Sequence, residues 1–374
     1  MQVTPQHLQK WVREACDEVK PCRRMGSKAY MTKLRRDLNL SSRKITRVVG
    51  KKAANDEESI IVNATTFLME VNDKIASSGL EDHSVWNADQ SGFEYEPMRN
   101  RTITSKGQKI VEVLAAQEHA TTHSYTVQVH MSKAGTLGKH IFICLQEKPK
   151  KNERVERHQF GPLIEQALAP VLEICRNVKV TCSQSGKFTK IIFKRWFNEV
   201  FLEDVEGESL LLLDAWPGQG PNAKLSGPNV SIAYIPQGAT KYVQPLDIYF
   251  FRQYKLLVKN IVETCRDLYF SGKSTTMPSN RYFIIRVHSL CFNQLSHPRF
   301  SRMWRYAWRK PGYTVDVEDG PFENVTEILL HPLRSTNAIC ATHNMFPILK
   351  CVYCNDFICL ACVAGPMHLH DPVS

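Results

Sequence analysis

The chain has 374 residues, 43% of them hydrophobic and 23% charged, proportions of an ordinary folded protein that exclude a mainly disordered chain and a bundle of membrane spans. Its net charge is +11, and nearly all of it lies at one end: residues 1–52 carry 14 Lys and Arg against Glu14, Asp17, Glu18 and Asp37. A basic module followed by a nearly neutral remainder points to an anionic partner, nucleic acid first.

Residues 5–20 place Leu8, Trp11, Val12, Ala15, Cys16 and Val19 on one helical face, with Pro5 near the first turn. A second helix is predicted over 27–38, and a third from Ser41 and Ser42, whose hydroxyls suit a helix start, carrying Arg43, Lys44 and Arg47. Three short helices with the positive charge on the last two outline a helix-turn-helix. No secretory signal follows Met1. The longest apolar run, Leu210 to Leu213, stops at Asp214, too short for a bilayer.

Residues 53–80 have a helical period and read as a connector ending near Gly79. Strands are predicted over 84–88, 109–115, 125–131 and 140–145, with a hairpin-type turn from Lys133 to Gly138 between the last two. Further strands fall at 177–182, 210–213 and 231–235, an amphipathic helix at 189–201, and a long helix at 246–270. This order implies a mixed α/β sheet covered on both faces. Pro311, Gly312, Gly320, Pro321 and Pro332 mark 311–338 as a linker.

Of twelve cysteines, seven are scattered singly and read as small buried hydrophobes, which places the chain in a reducing compartment. The other five crowd together with histidines as Cys340, His343, Cys351, Cys354, Cys359, Cys362, His368 and His370. Eight such ligands suffice for two tetrahedral Zn²⁺ sites, and a segment this short needs the metal to fold. The role is structural, with no open coordination position.

Three aspartates follow apolar stretches: Asp89 in NADQSGF (87–93), Asp214 in LLLLDAW (210–216) and Asp247 in IPQGATKYVQPLD (235–247). Carboxylates on rigid strand ends can hold two Mg²⁺ ions and clamp both the attacking and the leaving oxygen of a phosphodiester. Any one of them alone is more readily a turn or cap residue.

Together the three blocks resemble those of DDE-type transposases, specifically the pogo/Tigger branch of the mariner superfamily, and GKFTKIIFKRWFNEVFLED (186–204) resembles the helix before the second acid. The resemblance covers roughly 80–310. It implies an RNase H-like fold, with Asp89 on the central first strand, Asp214 just past the fourth strand, and Asp247 on the helix after the fifth. It also implies Mg²⁺- or Mn²⁺-dependent hydrolysis at a transposon end, strand transfer by the freed 3′-hydroxyl, and at least a homodimer at paired ends. Gln219 and Gln90 stand where many members carry His and an acid.

The stretch from Lys33 to Thr46 is similar to the end of the second helix-turn-helix in the centromere protein B-like DNA-binding region, without the first. Lys33, Arg35, Arg36, Arg43, Lys44 and Arg47 are the expected contacts to double-stranded DNA. The C-terminal spacing resembles a B-box module, which implies one site of Cys340, His343, Cys359 and Cys362, another of Cys351, Cys354, His368 and His370, and a protein partner for the tail.

The expected organisation is a partial helix-turn-helix module (1–52), a connector helix (53–80), an RNase H-like nuclease domain (81–310), a linker (311–338) and a B-box-like zinc module (339–374). Two functions fit it. One is a nuclear, metal-dependent transposase. The other is a domesticated, catalytically silent DNA-binding and protein-interaction factor with no membrane association.

Overall fold

The computed structural model describes residues 28–37, 51–95, 124–147, 170–215, 225, 227–269, 281–315, 322, 324–334, 338–365 and 367–371. The chain divides into two compact units, Met1–Asp56 and Glu57–Ser374. In the first, the predicted second helix is α1 (Lys28–Asp37). The helices expected over 5–20 and from Ser41 onward, and the strand expected over 109–115, lie outside the described residues.

Helix α2 (Lys51–Ser78) is the predicted connector and ends at Gly79, whose φ of +61° closes the last turn as glycine most readily does. From Ala64 onward it buries Phe67, Val71 and Ile75 at helical spacing.

A six-stranded sheet forms the core, with β1 (Val85–Glu94), β2 (Ser124–Ser132), β3 (Ile141–Gln146), β4 (Val178–Ser183), β5 (Ser209–Asp214) and β6 (Val230–Ile235) arranged in the order 4-3-2-1-5-6. β2 runs antiparallel to both β1 and β3, whereas β1, β5 and β6 are mutually parallel. The five strands 3-2-1-5-6 are the RNase H-like arrangement, extended by β4 parallel to β3 at one edge. That extra strand makes Asp214 the end of the fifth strand in chain order and puts Asp247 after the sixth, one later than expected for each.

Alternation along the strands builds two apolar layers. Trp86 and Ala88 of β1 and Leu211 and Leu213 of β5 join Trp196, Phe197 and Phe201 on one face. The last three belong to α3 (Lys190–Trp196), which continues into a wide turn, Phe197–Phe201. Thr189 starts this helix as predicted, its Oγ1 accepting from the Ile192 N–H.

The opposite face takes Val85 and Phe93 of β1, Leu210 and Leu212 of β5, and three helices. These are α4 (a wide turn, Leu246–Phe250, running into Phe251–Tyr269), α5 (Arg281–Leu295) and α6 (Ser301–Arg309). Helix α5 has no amphipathic period to read, because every residue from Phe283 to Leu295 is buried.

Two expectations change here. Segment 311–338 is no free linker: Tyr313, Val325 and Leu329 are buried in the main core, and the Tyr313 hydroxyl donates to Val243 O at 3.0 Å. Nor is the C-terminal segment a detached tail. Its hairpin, β7 (Pro347–Lys350) with β8 (Phe357–Cys359), and short helix α7 (Leu360–Ala364) contribute Ile348, Leu349, Ile358 and Val363 to that same cluster. Too small to enclose a core of its own, the segment shares the larger one.

Candidate active site

Asp89 does not end its strand. β1 continues to Glu94 because β2 pairs with it throughout, Asp89 opposite Val129 and Glu94 opposite Ser124. β1 and β5 pair in parallel as far as Asn87 opposite Leu212, and two residues further this register sets Asp89 beside Asp214. Both point to the sheet face that receives α4, since they alternate in phase with Asn87 and Leu212. Asp247 lies in the wide first turn of α4, where Leu246 and Phe250 anchor in the core. Sheet register and helix docking thus bring three acids, far apart in the chain, to one place.

Their charges interact. Burial pushes the Asp89 carboxyl well above the usual carboxylate range, and the charges of Asp247 and Asp214 push it further. Asp247 is raised as well, first by desolvation and then by Asp214, with Lys255 and a hydrogen bond to Asp89 opposing. Although Asp247 is exposed as a residue, its carboxyl end is crowded. A cluster of carboxylate oxygen donors, one of them on a residue only 6% exposed, matches what a hard divalent cation requires. Lys241, Lys310, Thr240 and Asp247 border an open cleft of ≈ 670 Å³, so cations flank the acid that faces solvent.

Two polar residues fix this geometry. Thr240 Oγ1 donates to Asp214 Oδ1 at 3.1 Å. Asn87, 0% exposed, donates from Nδ2 to Leu212 O at 3.1 Å and accepts on Oδ1 from Leu246 N at 3.1 Å. One side chain therefore ties the strand of Asp89 to the backbone two residues before Asp214 and one residue before Asp247. In the sequence Asn87 carries one signal of this role, its place two residues before the first acid and so on the same strand face.

Asn87→Ala is expected to strand a buried carbonyl and a buried N–H, each costing about 1–3 kcal/mol. Urea denaturation should report that loss together with weaker divalent-cation binding. Unchanged stability would contradict the tie.

The eight C-terminal Cys and His residues fall into two groups, Cys340 with His343, Cys359 and Cys362, and Cys351 with Cys354, His368 and His370, the donor atoms of each group lying within 4.8 Å of one another. In the first, Sγ of Cys362 lies 3.6 Å from Cys340 Sγ and 3.8 Å from Cys359 Sγ, and His343 Nδ1 lies 3.3–3.7 Å from all three sulfurs. In the second, Cys351 Sγ is 3.3 Å from His370 Nε2, Cys354 Sγ is 3.4 Å from His368 Nε2, and the two Nε2 atoms are 2.9 Å apart. Bonds of about 2.3 Å to a tetrahedral Zn²⁺ separate its sulfur ligands by about 3.8 Å, so the Cys3His and Cys2His2 sets both fit the metal. The tight His-x-His spacing brings both rings to the same group.

The module sits on α5. Arg286, 1% exposed, donates to Gly365 O at 2.8 Å and also to Val363 O. Asn293 exchanges hydrogen bonds with the His370 backbone. Gln294 accepts from Val352 N at 2.8 Å and donates to Cys351 Sγ at 3.4 Å.

Of the expected DNA contacts, Lys33, Arg35 and Arg36 lie on α1, with Lys33 and Arg36 exposed. Arg43, Lys44, Arg47 and also Gln219 lie outside the described residues. Among the described residues no helix is long and apolar enough to cross a membrane.

Residues 165–264 match the DDE superfamily endonuclease family, a span that holds Asp214 and Asp247 but not Asp89. No curated protein matches the chain. Among solved structures it is similar to the Mos1 transposase paired-end complex with left transposon end, at 10% identity and a TM-score of 0.35 over 84% of this chain and 82% of that one. The Mos1 strand transfer complex gives 10% identity and 0.38, over 84% and 81%. The Mos1 mariner paired-end complex with Mn gives 10% and 0.35, over 82% and 79%. Likenesses this distant assign no residue.

Proposed function

We propose that this is a transposase-derived DNA-binding protein of the pogo/Tigger kind, whose sheet carries a divalent-cation phosphodiesterase centre made by Asp89, Asp214 and Asp247. The convergence of those three carboxylates on one sheet face carries the reading. Mg²⁺ or Mn²⁺ held there supplies charge stabilisation to the in-line transition state and lowers the pKa of the attacking oxygen. The chain's own part is positional: Asn87 and Thr240 fix the acids, and Lys310 attracts a phosphate backbone to the cleft, while Lys241 beside it is paired with Glu57 at 2.6 Å. The reaction is nicking at a transposon end followed by strand transfer, with two copies of the chain at paired ends, in the nucleus.

Cation-dependent nicking of duplex DNA that bears terminal inverted repeats tests this reading. A catalytically silent, domesticated factor would share the fold and the DNA binding but would leave that DNA intact.

The two Cys/His groups bind one structural Zn²⁺ each, in a B-box-like module that also offers a surface to a protein partner. The basic module binds DNA through Lys33, Arg35, Arg36, Arg43, Lys44 and Arg47. Replacing exposed Lys33 and Arg36 together by Ala should weaken binding to all sequences alike and flatten the slope of log K against log salt by about 2, close to one released counterion per phosphate contact. Fluorescence anisotropy between low and moderate salt measures it, and an unchanged slope would remove both residues from the interface.

A further inference from the structure

Gln244 is wholly buried, 0% exposed, between the turn that holds Thr240 and the helix that holds Asp247. Its backbone is fully engaged, N donating to Thr240 O at 3.0 Å and O accepting from Ile248 N at 3.1 Å. Its side chain is not: among the described residues neither Oε1 nor Nε2 has a partner in good hydrogen-bond geometry, although the amide lies close enough to the Asp89 carboxyl to favour its charged form. Stranding both ends of a buried amide costs stability, and an apolar side chain of the same size would be cheaper there. Such a cost persists where the group has a task besides packing.

We propose that Gln244 is a positioning residue of the acid centre, its amide N–H turning to Asp89 and fixing that carboxylate towards Asp214 and Asp247 when a divalent cation enters. The inference rests on the phosphodiesterase reading above. A carboxylate that binds metal with one oxygen needs a donor on the other, or it swings between rotamers. Thr240 is that donor for Asp214, and Gln244 supplies the equivalent for Asp89.

The test uses the full chain with Gln244→Leu and, in case branching disturbs the core, Gln244→Met. Thermal melts without added divalent cation and Mn²⁺ titrations by calorimetry are run on both and on Asp214→Asn. Removing an unpaired amide should leave Tm unchanged or raise it, while Mn²⁺ affinity at the Asp214-dependent site falls about 10- to 100-fold, the usual loss when a ligand's outer partner is removed. A lower Tm in both variants, or Mn²⁺ affinity equal to wild type, would overturn the role and make Gln244 a packing residue. A wild-type chain with no Asp214-dependent Mn²⁺ binding would instead sink the acid centre itself, and this inference with it.

Discussion

Asp214→Asn is expected to reduce cation-dependent nicking of repeat-bearing DNA by about 10³-fold or more, the several kcal/mol of charge stabilisation that a properly held divalent ion supplies. DNA retention should be unchanged, because the basic module does not include this acid. The substitution keeps the shape and the Thr240 contact and removes only the charge, so a loss would be specific to cation binding. Equal nicking by wild type and variant would mean that the activity comes from elsewhere.

Asp89→Asn should behave alike in catalysis and oppositely in stability. A carboxyl whose folded pKa is raised binds more protons in the folded than in the unfolded chain, so it costs stability as pH rises from the ordinary carboxylate range towards the folded value. Without divalent cation, the Tm of Asp89→Asn should therefore exceed that of wild type by a margin that widens with pH. Addition of Mg²⁺ should reverse the order, since only wild type gains from binding.

Chelation of zinc should have the other large effect. Structural Zn²⁺ in small modules is bound with about 10–16 kcal/mol of apparent free energy, most of which is folding free energy. Two equivalents should be released, and the consequence should extend past residue 340. Ile348, Leu349 and Val363 share one apolar cluster with α4, α5 and α6, and Arg286, buried among them, would lose the carbonyls of Val363 and Gly365. A buried guanidinium left with only the Tyr282 hydroxyl is costly. Chelator should thus lower Tm for the whole Glu57–Ser374 unit in one transition. Release of no zinc would refute the ligand assignment. Release without any change in the main transition would show that the segment folds apart from the core.

The candidate site residues were the legible part of this chain. Asp89, Asp214 and Asp247 stood out only together, as three ordered blocks, since one acid behind an apolar run is ordinarily a turn or cap residue, whereas eight Cys and His at metal spacing stand out by themselves. Strand alternation gave the sheet, and Leu210–Leu213 showed as buried from composition alone. Helix α5 left no such trace: RYFIIRVHSLCFNQL is buried on every side, and a helix with no polar face has no period. The seat of the C-terminal Cys/His segment was hidden for a related reason. Arg286, Asn293 and Gln294 read as ordinary polar residues until their partners, about 60 to 80 positions away in the chain, are brought alongside. Proline and glycine suggested a linker over 311–338, yet the core takes Tyr313, Val325 and Leu329 from it, because turn residues bend a chain without keeping it at the surface. Asn87 and Gln244 were in view within their motifs, but an amide's role depends on what it faces, and that is set only by register and helix docking.

The acid centre is tested most directly by anomalous diffraction from crystals soaked in Mn²⁺. The account predicts a manganese peak among the carboxylates of Asp89, Asp214 and Asp247, at about 2.0–2.6 Å from their oxygens as hard cations require, and its disappearance in Asp214→Asn. Those three side chains with no manganese between them, in a protein that still nicks DNA when Mn²⁺ is supplied, would contradict it.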